Sequence, residues 1–193
     1  MRPADEAAMA RAIEAFLEAL GLEPGADWRD LAGTPRRVAE AWARELLGGY
    51  GKDPAALLAE ASPAERGADL VVVSGLDVVG MCPHHLLPYR GVATVAYVPG
   101  ERVAGFGQLA QLVDCLARRL ALQEDVARAV TRALMEHLGA KGAACALDVE
   151  QGCLSTRGER QAHARTYVDA FAGIFETDAG LRERFDRRVP GAR

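Results

Sequence analysis

Cys82-Pro83-His84-His85, answered further along the chain by Cys153, supply the side chains best suited to holding a transition metal. Thiolate, imidazole and thiolate from Cys82, His85 and Cys153 make the ligand set of a zinc site with three protein ligands, leaving a fourth position for water. Two residues separate Cys82 from His85, so one tight turn can present both, and His84 is left beside the metal as a titratable group. Metal catalysis is the first reading. A purely structural site would need a fourth ligand, such as His137 or His163. His137 falls in an apolar helical run, where packing is the simpler role; His163 lies near the start of the last strand and has no assigned place.

The surrounding elements must bring these residues together. Ala8, Met9, Ala12, Ile13, Phe16, Leu17 and Leu20 recur at three and four residues, an amphipathic helix that Gly21 stops. Thr34-Pro35 reads as an N-cap followed by proline at the first helical position, with Gly48-Gly49 ending that helix. The polar stretch from Ser62 to Ala68 marks a boundary. Beyond it the period shortens: Asp69 to Val79 and Gly91 to Pro99 are rich in β-branched residues, so the Cys82 to His85 turn joins two strands. Two helices follow, one carrying Leu109, Leu112, Val113, Leu116 and Leu120, the next Val126, Val130, Ala133, Leu134 and Leu138. Ala143 to Cys153 and Arg165 to Phe175 complete an order of strand, strand, helix, helix, strand, strand. Strand alternation puts Gln151 and Cys153 on one face, so position 151 lies close to the metal. The division expected is a helical region at 1–65, a catalytic domain at 66–178 and a C-terminal helix or tail at 179–193.

A chain of 193 residues, half of them apolar, is long enough for one substantial core. Its formal net charge of −4 argues against a general nucleic-acid binder, which needs a basic surface to displace counterions. With neither an apolar signal region near Met1 nor a long apolar run, no membrane partner is expected and the cytoplasm is the default location. Cys115 and Cys145 fall in apolar stretches and read as small buried hydrophobes rather than disulfide partners.

From about Thr34 to Phe175 the sequence resembles the GTP cyclohydrolase I family. The resemblance rests on Cys82-Pro83-His84-His85-Leu86-Leu87-Pro88, Leu122-Gln123-Glu124, Ala133-Leu134-Met135, and Cys153 with Arg157-Gly158. It implies an α+β tunnelling fold, a ββααββ antiparallel sheet with two helices on one face, plus an N-terminal helical region. It also implies Zn2+ held by Cys82, His85 and Cys153, with metal-activated water attacking C8 of GTP to give 7,8-dihydroneopterin triphosphate and formate, at the entry to tetrahydrofolate biosynthesis. By the same resemblance His84 moves protons, Glu124 beside Gln123 accepts from N1 and the 2-amino group of guanine, and Arg157 and Arg37 contact phosphate. Family members are homo-oligomers, usually decamers, with active sites between subunits.

Departures from the family pattern cluster by role. Gln151 stands where the family has a histidine acting as general acid and base, a role worth roughly 10²–10⁴ in rate. Glutamine can donate and accept hydrogen bonds but cannot exchange a proton at neutral pH. The family's triphosphate-binding serine, lysine and arginine are here Gly107, Gln108 and Gln111. Loss of two cations removes roughly 3–6 kcal/mol of charged hydrogen bonding. Pro83 replaces a family glutamate. Metal ligands and guanine reader are kept while phosphate ligands and one proton shuttle are changed. Three readings follow: a GTP cyclohydrolase I-like enzyme; a diverged cyclohydrolase acting on a guanine-type purine without triphosphate, or stopping at the formamide; and a non-catalytic purine-binding paralogue.

Overall fold

The computed structural model describes residues 4–22, 31–65 and 69–190. Part of the expected boundary, residues 66–68, and the last tail residues, 191–193, lie outside them. Helix α1 (Glu6–Ala19) starts where the Asp5 carboxylate accepts from the Ala8 N–H at 2.9 Å and stops before Gly21, whose φ of 79° suits glycine. Helix α2 (Thr34–Glu40) begins one residue earlier than Thr34 capping would give: the N-cap is Gly33 at φ 77°, and the Thr34 hydroxyl instead accepts from Arg37 at 2.9 Å. A wider turn at Ala41–Leu46 extends α2, followed by the short helix α3 (Pro54–Ala59). Of these N-terminal helices, α3 joins the main core through fully buried Leu58. Helix α1 buries no residue, and its Phe16 and Leu20 are each 60% exposed.

A small ribbon pairs β1 (Ser62–Pro63) with β4 (Arg102–Val103). The main sheet, among the described residues, has four antiparallel strands in the order β2 (Val71–Met81), β3 (Pro88–Val98), β5 (Gly142–Gln151), β6 (Thr166–Gly173). Helices α4 (Phe106–Ala117) and α5 (Gln123–Ala133) connect β3 to β5, giving the strand and helix order of the tunnelling fold. Ala93, Val95 and Tyr97 of β3 and Cys145, Leu147 and Val149 of β5 turn one face onto Leu109, Leu112, Leu116, Val126 and Val130 of the helices. At about 1.5–3 kcal/mol for each large apolar side chain fully buried, this layer outweighs the intrinsic propensities of its elements. The opposite face carries Ala96, Ala144, Ala146 and Phe171, covered by Phe175 and by Phe185 of α7 (Ala179–Asp186). Cys115 and Cys145 are buried, as their apolar settings imply.

A second local expectation, after the Thr34 cap, is corrected. Strand β5 ends at Gln151, and Cys153 belongs to a short helical turn, α6 (Gly152–Ser155). The chain bends at Gly152, which lies so close to Pro88 that a Cβ would overlap its carbonyl oxygen. Simple strand alternation therefore does not continue from 151 to 153.

Candidate metal centre

Strand β2 ends at Met81 and the chain reverses over 82–87 before β3 begins. Backbone bonds close the reversal: Leu86 N–H donates to the Cys82 carbonyl at 2.9 Å and Cys82 N–H to the Leu87 carbonyl at 3.0 Å. Leu86 takes the left-handed conformation, φ 52°, which a residue with a side chain adopts only where its surroundings impose it. The turn thereby presents Cys82 and His85 together, with Sγ 3.8 Å from Nδ1. Antiparallel pairing then brings in the third residue. Tyr89 at the start of β3 faces Gln151 at the end of β5, so α6 and Cys153 emerge beside the turn.

One ligand atom from each of Cys82, His85 and Cys153 lies within 4.8 Å of the others. Tetrahedral zinc, with Zn–S about 2.3 Å and Zn–N about 2.0–2.1 Å, asks for donor separations of roughly 3.5–3.8 Å. Residues and spacing therefore fit the metal after at most a small contraction. Among the described residues neither His137 nor His163 joins this cluster, so no fourth protein ligand accompanies it. Without metal, burial and the adjacent Cys82 push the Cys153 thiol up, opposed by the charge of Arg157.

The trio opens onto a cavity of about 520 Å³. His84, exposed at its rim, meets the His85 ring edge-on with centroids 6.2 Å apart. Leu122, Leu154 and Val168 supply apolar wall. Gln123 and Glu124 arrive from the first turn of α5, the Glu124 side chain exposed and the Gln123 side chain buried. Tyr89 also lines the cavity; burial above all, then the charges of Cys82 and nearby carboxylates, raise its phenol and keep it protonated. Tyr167, also in the lining, is pushed up to about 12, mainly by burial.

Gln123 is held on every side. Its Nε2 donates to the Leu147 carbonyl at 2.9 Å and the Thr166 carbonyl at 3.1 Å, while its Oε1 accepts from Thr166 Oγ1 at 2.7 Å and Gln151 Nε2 at 3.1 Å. Gln151 Nε2 also donates to Thr166 Oγ1 at 3.2 Å. Sequence reasoning missed Thr166, Tyr89 and Tyr167. Only the pairing of β5 with β6 and of β3 with β5 brings them here, and no motif in the chain marks that register.

Other residues expected at the site lie outside this wall. Arg157 is exposed in the loop after α6, close enough for its charge to act on Cys153. Arg37, at the start of α2, donates to the Ala32 carbonyl and to Thr34. Gly107, Gln108 and Gln111 line a separate hollow of about 610 Å³ whose wall includes Glu60. There Gln108 accepts from the Gly105 N–H at 2.7 Å and donates to the Leu57 carbonyl at 2.9 Å, tying the start of α4 to α3.

Comparison with known proteins was made against this geometry. A model of the GTP cyclohydrolase I family matches residues 9–189. GTP cyclohydrolase 1 of Chromobacterium violaceum is 44% identical over 189 residues, which cover 98% of this chain and 90% of the relative. The protein of the same name from Ralstonia nicotianae is 41% identical over 93% of this chain and 85% of its own length. That from Deinococcus radiodurans is 37% identical over 91% and 80% respectively.

Proposed function

Because this chain belongs to the GTP cyclohydrolase I family, we propose that it binds zinc through Cys82, His85 and Cys153 and hydrolyses a guanine-type purine at C8. The enzyme is a GTP cyclohydrolase I-like hydrolase acting on a cyclic amidine C–N bond, the family reaction being GTP plus water to 7,8-dihydroneopterin triphosphate and formate. The observation that carries the site assignment is the convergence of the three donor atoms within 4.8 Å on the floor of a cavity reached by Glu124 and His84. Bound zinc supplies hydroxide at neutral pH by lowering the pKa of its water toward about 7.

The remaining work belongs to the chain's own groups. Glu124, at the mouth of α5, accepts from the adjacent N1–H and 2-amino donors of guanine, a pair that adenine does not offer. Leu122, Leu154 and Val168 reduce the water around the reacting ring. His84 sits within the same cavity and carries a proton between water and the ring nitrogens as the C8 bonds break. Gln151 cannot do so, and ring opening is therefore faster than completion to the pterin.

A second reading concerns the substrate's phosphates. Gln108 spends its carboxamide on Gly105 and Leu57, and Glu60 stands in the same hollow as Gly107 and Gln111. That side of the molecule favours a purine with fewer than three phosphates, with Arg157, whose charge reaches Cys153, as the arginine to hold one and Arg37 as a second contact by family resemblance. Active assemblies are homo-oligomeric, a decamer by family resemblance, and cytoplasmic. The exposed Phe16 and Leu20 of α1 support association. Incubating zinc-loaded protein with GTP, GMP, guanosine and guanine, while following formate and pterin fluorescence, tests both readings. Formate release, or loss of the purine absorbance as the ring opens to the formamide, is expected with at least one of them; neither signal above a metal-free control from any would overturn the enzymatic reading in favour of a purine-binding paralogue.

A further inference from the structure

Glu124 stands on the first turn of α5, and that helix opens without a side-chain cap: its N-cap is Leu122, which offers the free N–H groups no acceptor. The placement of the turn must then come from the segment that leads into it. Two tyrosine hydroxyls hold this segment at consecutive residues. The Leu120 N–H donates to Tyr50 Oη at 3.2 Å, and the Ala121 carbonyl accepts from Tyr89 Oη at 3.4 Å. Leu120 also bridges to Met81, the last residue of β2 and the one before Cys82.

Tyr89 reaches Ala121 because of its seat in the sheet. It pairs with Gly80 on one side and Gln151 on the other, and its ring lies over Gly80, where a Cβ would overlap both ring and hydroxyl. The side chain is 1% exposed, so bulk water does not stand in for the Ala121 carbonyl, its one hydrogen-bond partner among the described residues. Burial first, and then the charges of Cys82, Glu124 and Asp125, raise its phenol, which therefore lies within reach of a metal donor and of the purine reader alike. A phenylalanine would fill the same core volume. What the hydroxyl adds is the tie to Ala121.

We infer that Tyr89 is a positioning residue for purine recognition: its hydroxyl ties the segment before α5 to the strands that carry the metal turn, and so sets Glu124 against the N1 and 2-amino edge of a guanine bound beside the metal. The inference rests on the metal and Glu124 assignments proposed above. Tyr89 acts through Glu124 rather than on the substrate. A carboxylate that accepts from two adjacent donors at once needs both oxygens in register with them, so a small shift of the helix start weakens both bonds together. An adenine compound offers no such pair and does not feel the shift. Without the hydroxyl the Ala121 carbonyl loses its partner, and the segment before α5 is left with the Tyr50 bond and the bridge to Met81.

Competition binding of guanosine and adenosine to zinc-loaded protein reads this effect without turnover. Tyr89→Phe should keep the zinc content of the unaltered protein and lower guanosine affinity roughly three- to tenfold, while adenosine affinity stays as it was. A general loosening of the cavity would weaken both nucleosides in parallel. In the Glu124→Ala background the same substitution should have no further effect on guanosine, since the hydroxyl acts only through that carboxylate. Loss of zinc in Tyr89→Phe, an unchanged guanosine affinity, a parallel loss for both nucleosides, or an equal further loss in the Glu124→Ala background would overturn this inference alone. An unaltered protein that takes up no zinc, or binds guanosine no better than adenosine, would instead overturn the assignments on which it rests, and the inference with them.

Discussion

Cys153 and His84 stand in one cavity yet should fail in different ways when replaced. Cys153→Ser removes a thiolate from a site with three protein donors among the described residues, so metal content measured after dialysis should fall to near that of apoprotein. His84→Ala leaves all three donors in place. It should keep full metal content while turnover drops by roughly 10²–10⁴, the usual contribution of a general acid or base. Retained metal in Cys153→Ser would refute the ligand set. Glu124 separates recognition from chemistry: Glu124→Ala should bring guanine and adenine nucleosides to similar affinity, a loss of roughly ten- to a hundredfold in discrimination measured by competition binding. Equal binding of both nucleosides by the unaltered protein would remove the basis for that role.

Helix α4 illustrates how a position can change its work while the element persists. The sequence places Gln108 where the family binds phosphate with lysine, and structurally the residue closes the start of α4 onto Gly105 and Leu57. Gln108→Lys gives up the acceptor for the Gly105 N–H, so unfolding in urea should show a loss of about 1 kcal/mol. Paired with Gln111→Arg, the same change should nevertheless improve GTP affinity over guanosine, since the two cations restore charged hydrogen bonds to phosphate. A stability unchanged within error in Gln108→Lys would mean that the cap contributes nothing. The metal turn works by the opposite logic. Its Cys82 to Leu87 reversal depends on backbone bonds and on Leu86 at φ 52°, and the strands on either side hold it there.

The molecule as a whole carries several groups, Cys145 and Tyr89 buried and Tyr167 partly exposed, that stay protonated in the fold. Cys145, within the sheet and helix core, is pushed up to about 12 by burial, from an ordinary value of 9.0. Tyr167 is raised to about 12 and Tyr89 is raised as well, chiefly by burial. Above pH 9 the unfolded chain releases protons that the folded chain still holds. The stabilisation from Cys145 is thus complete below pH 9 and is lost as pH rises toward about 12. Urea unfolding between pH 8 and 11 should show stability falling with pH. Cys145→Ala should flatten that fall even though the smaller side chain lowers stability overall; an unchanged slope would show that this thiol does not titrate with unfolding.

Sequence alone was sufficient to single out Cys82, His85 and Cys153 as a candidate donor trio, which the fold does bring together, and for the order of the six elements that position it. Both are local in character: ligand chemistry is fixed by residue type, and apolar periodicity separates Leu109 to Leu120 from Val92 to Val98 without knowledge of partners. Family resemblance extended that reading to the reaction. The tertiary structure decided what depends on register between distant segments. It moved Cys153 from the strand to a helical turn because Gly152 packs against the Pro88 carbonyl. It gave Gln108 to a helix start and Gly33 to the N-cap of α2. Above all it joined Gln123, Gln151 and Thr166, which no spacing rule connects. Hydrogen bonds among side chains from α5, β5 and β6 exist only once the strands have paired, and the orientation of each amide is set by the backbone carbonyls that pairing brings beside Gln123.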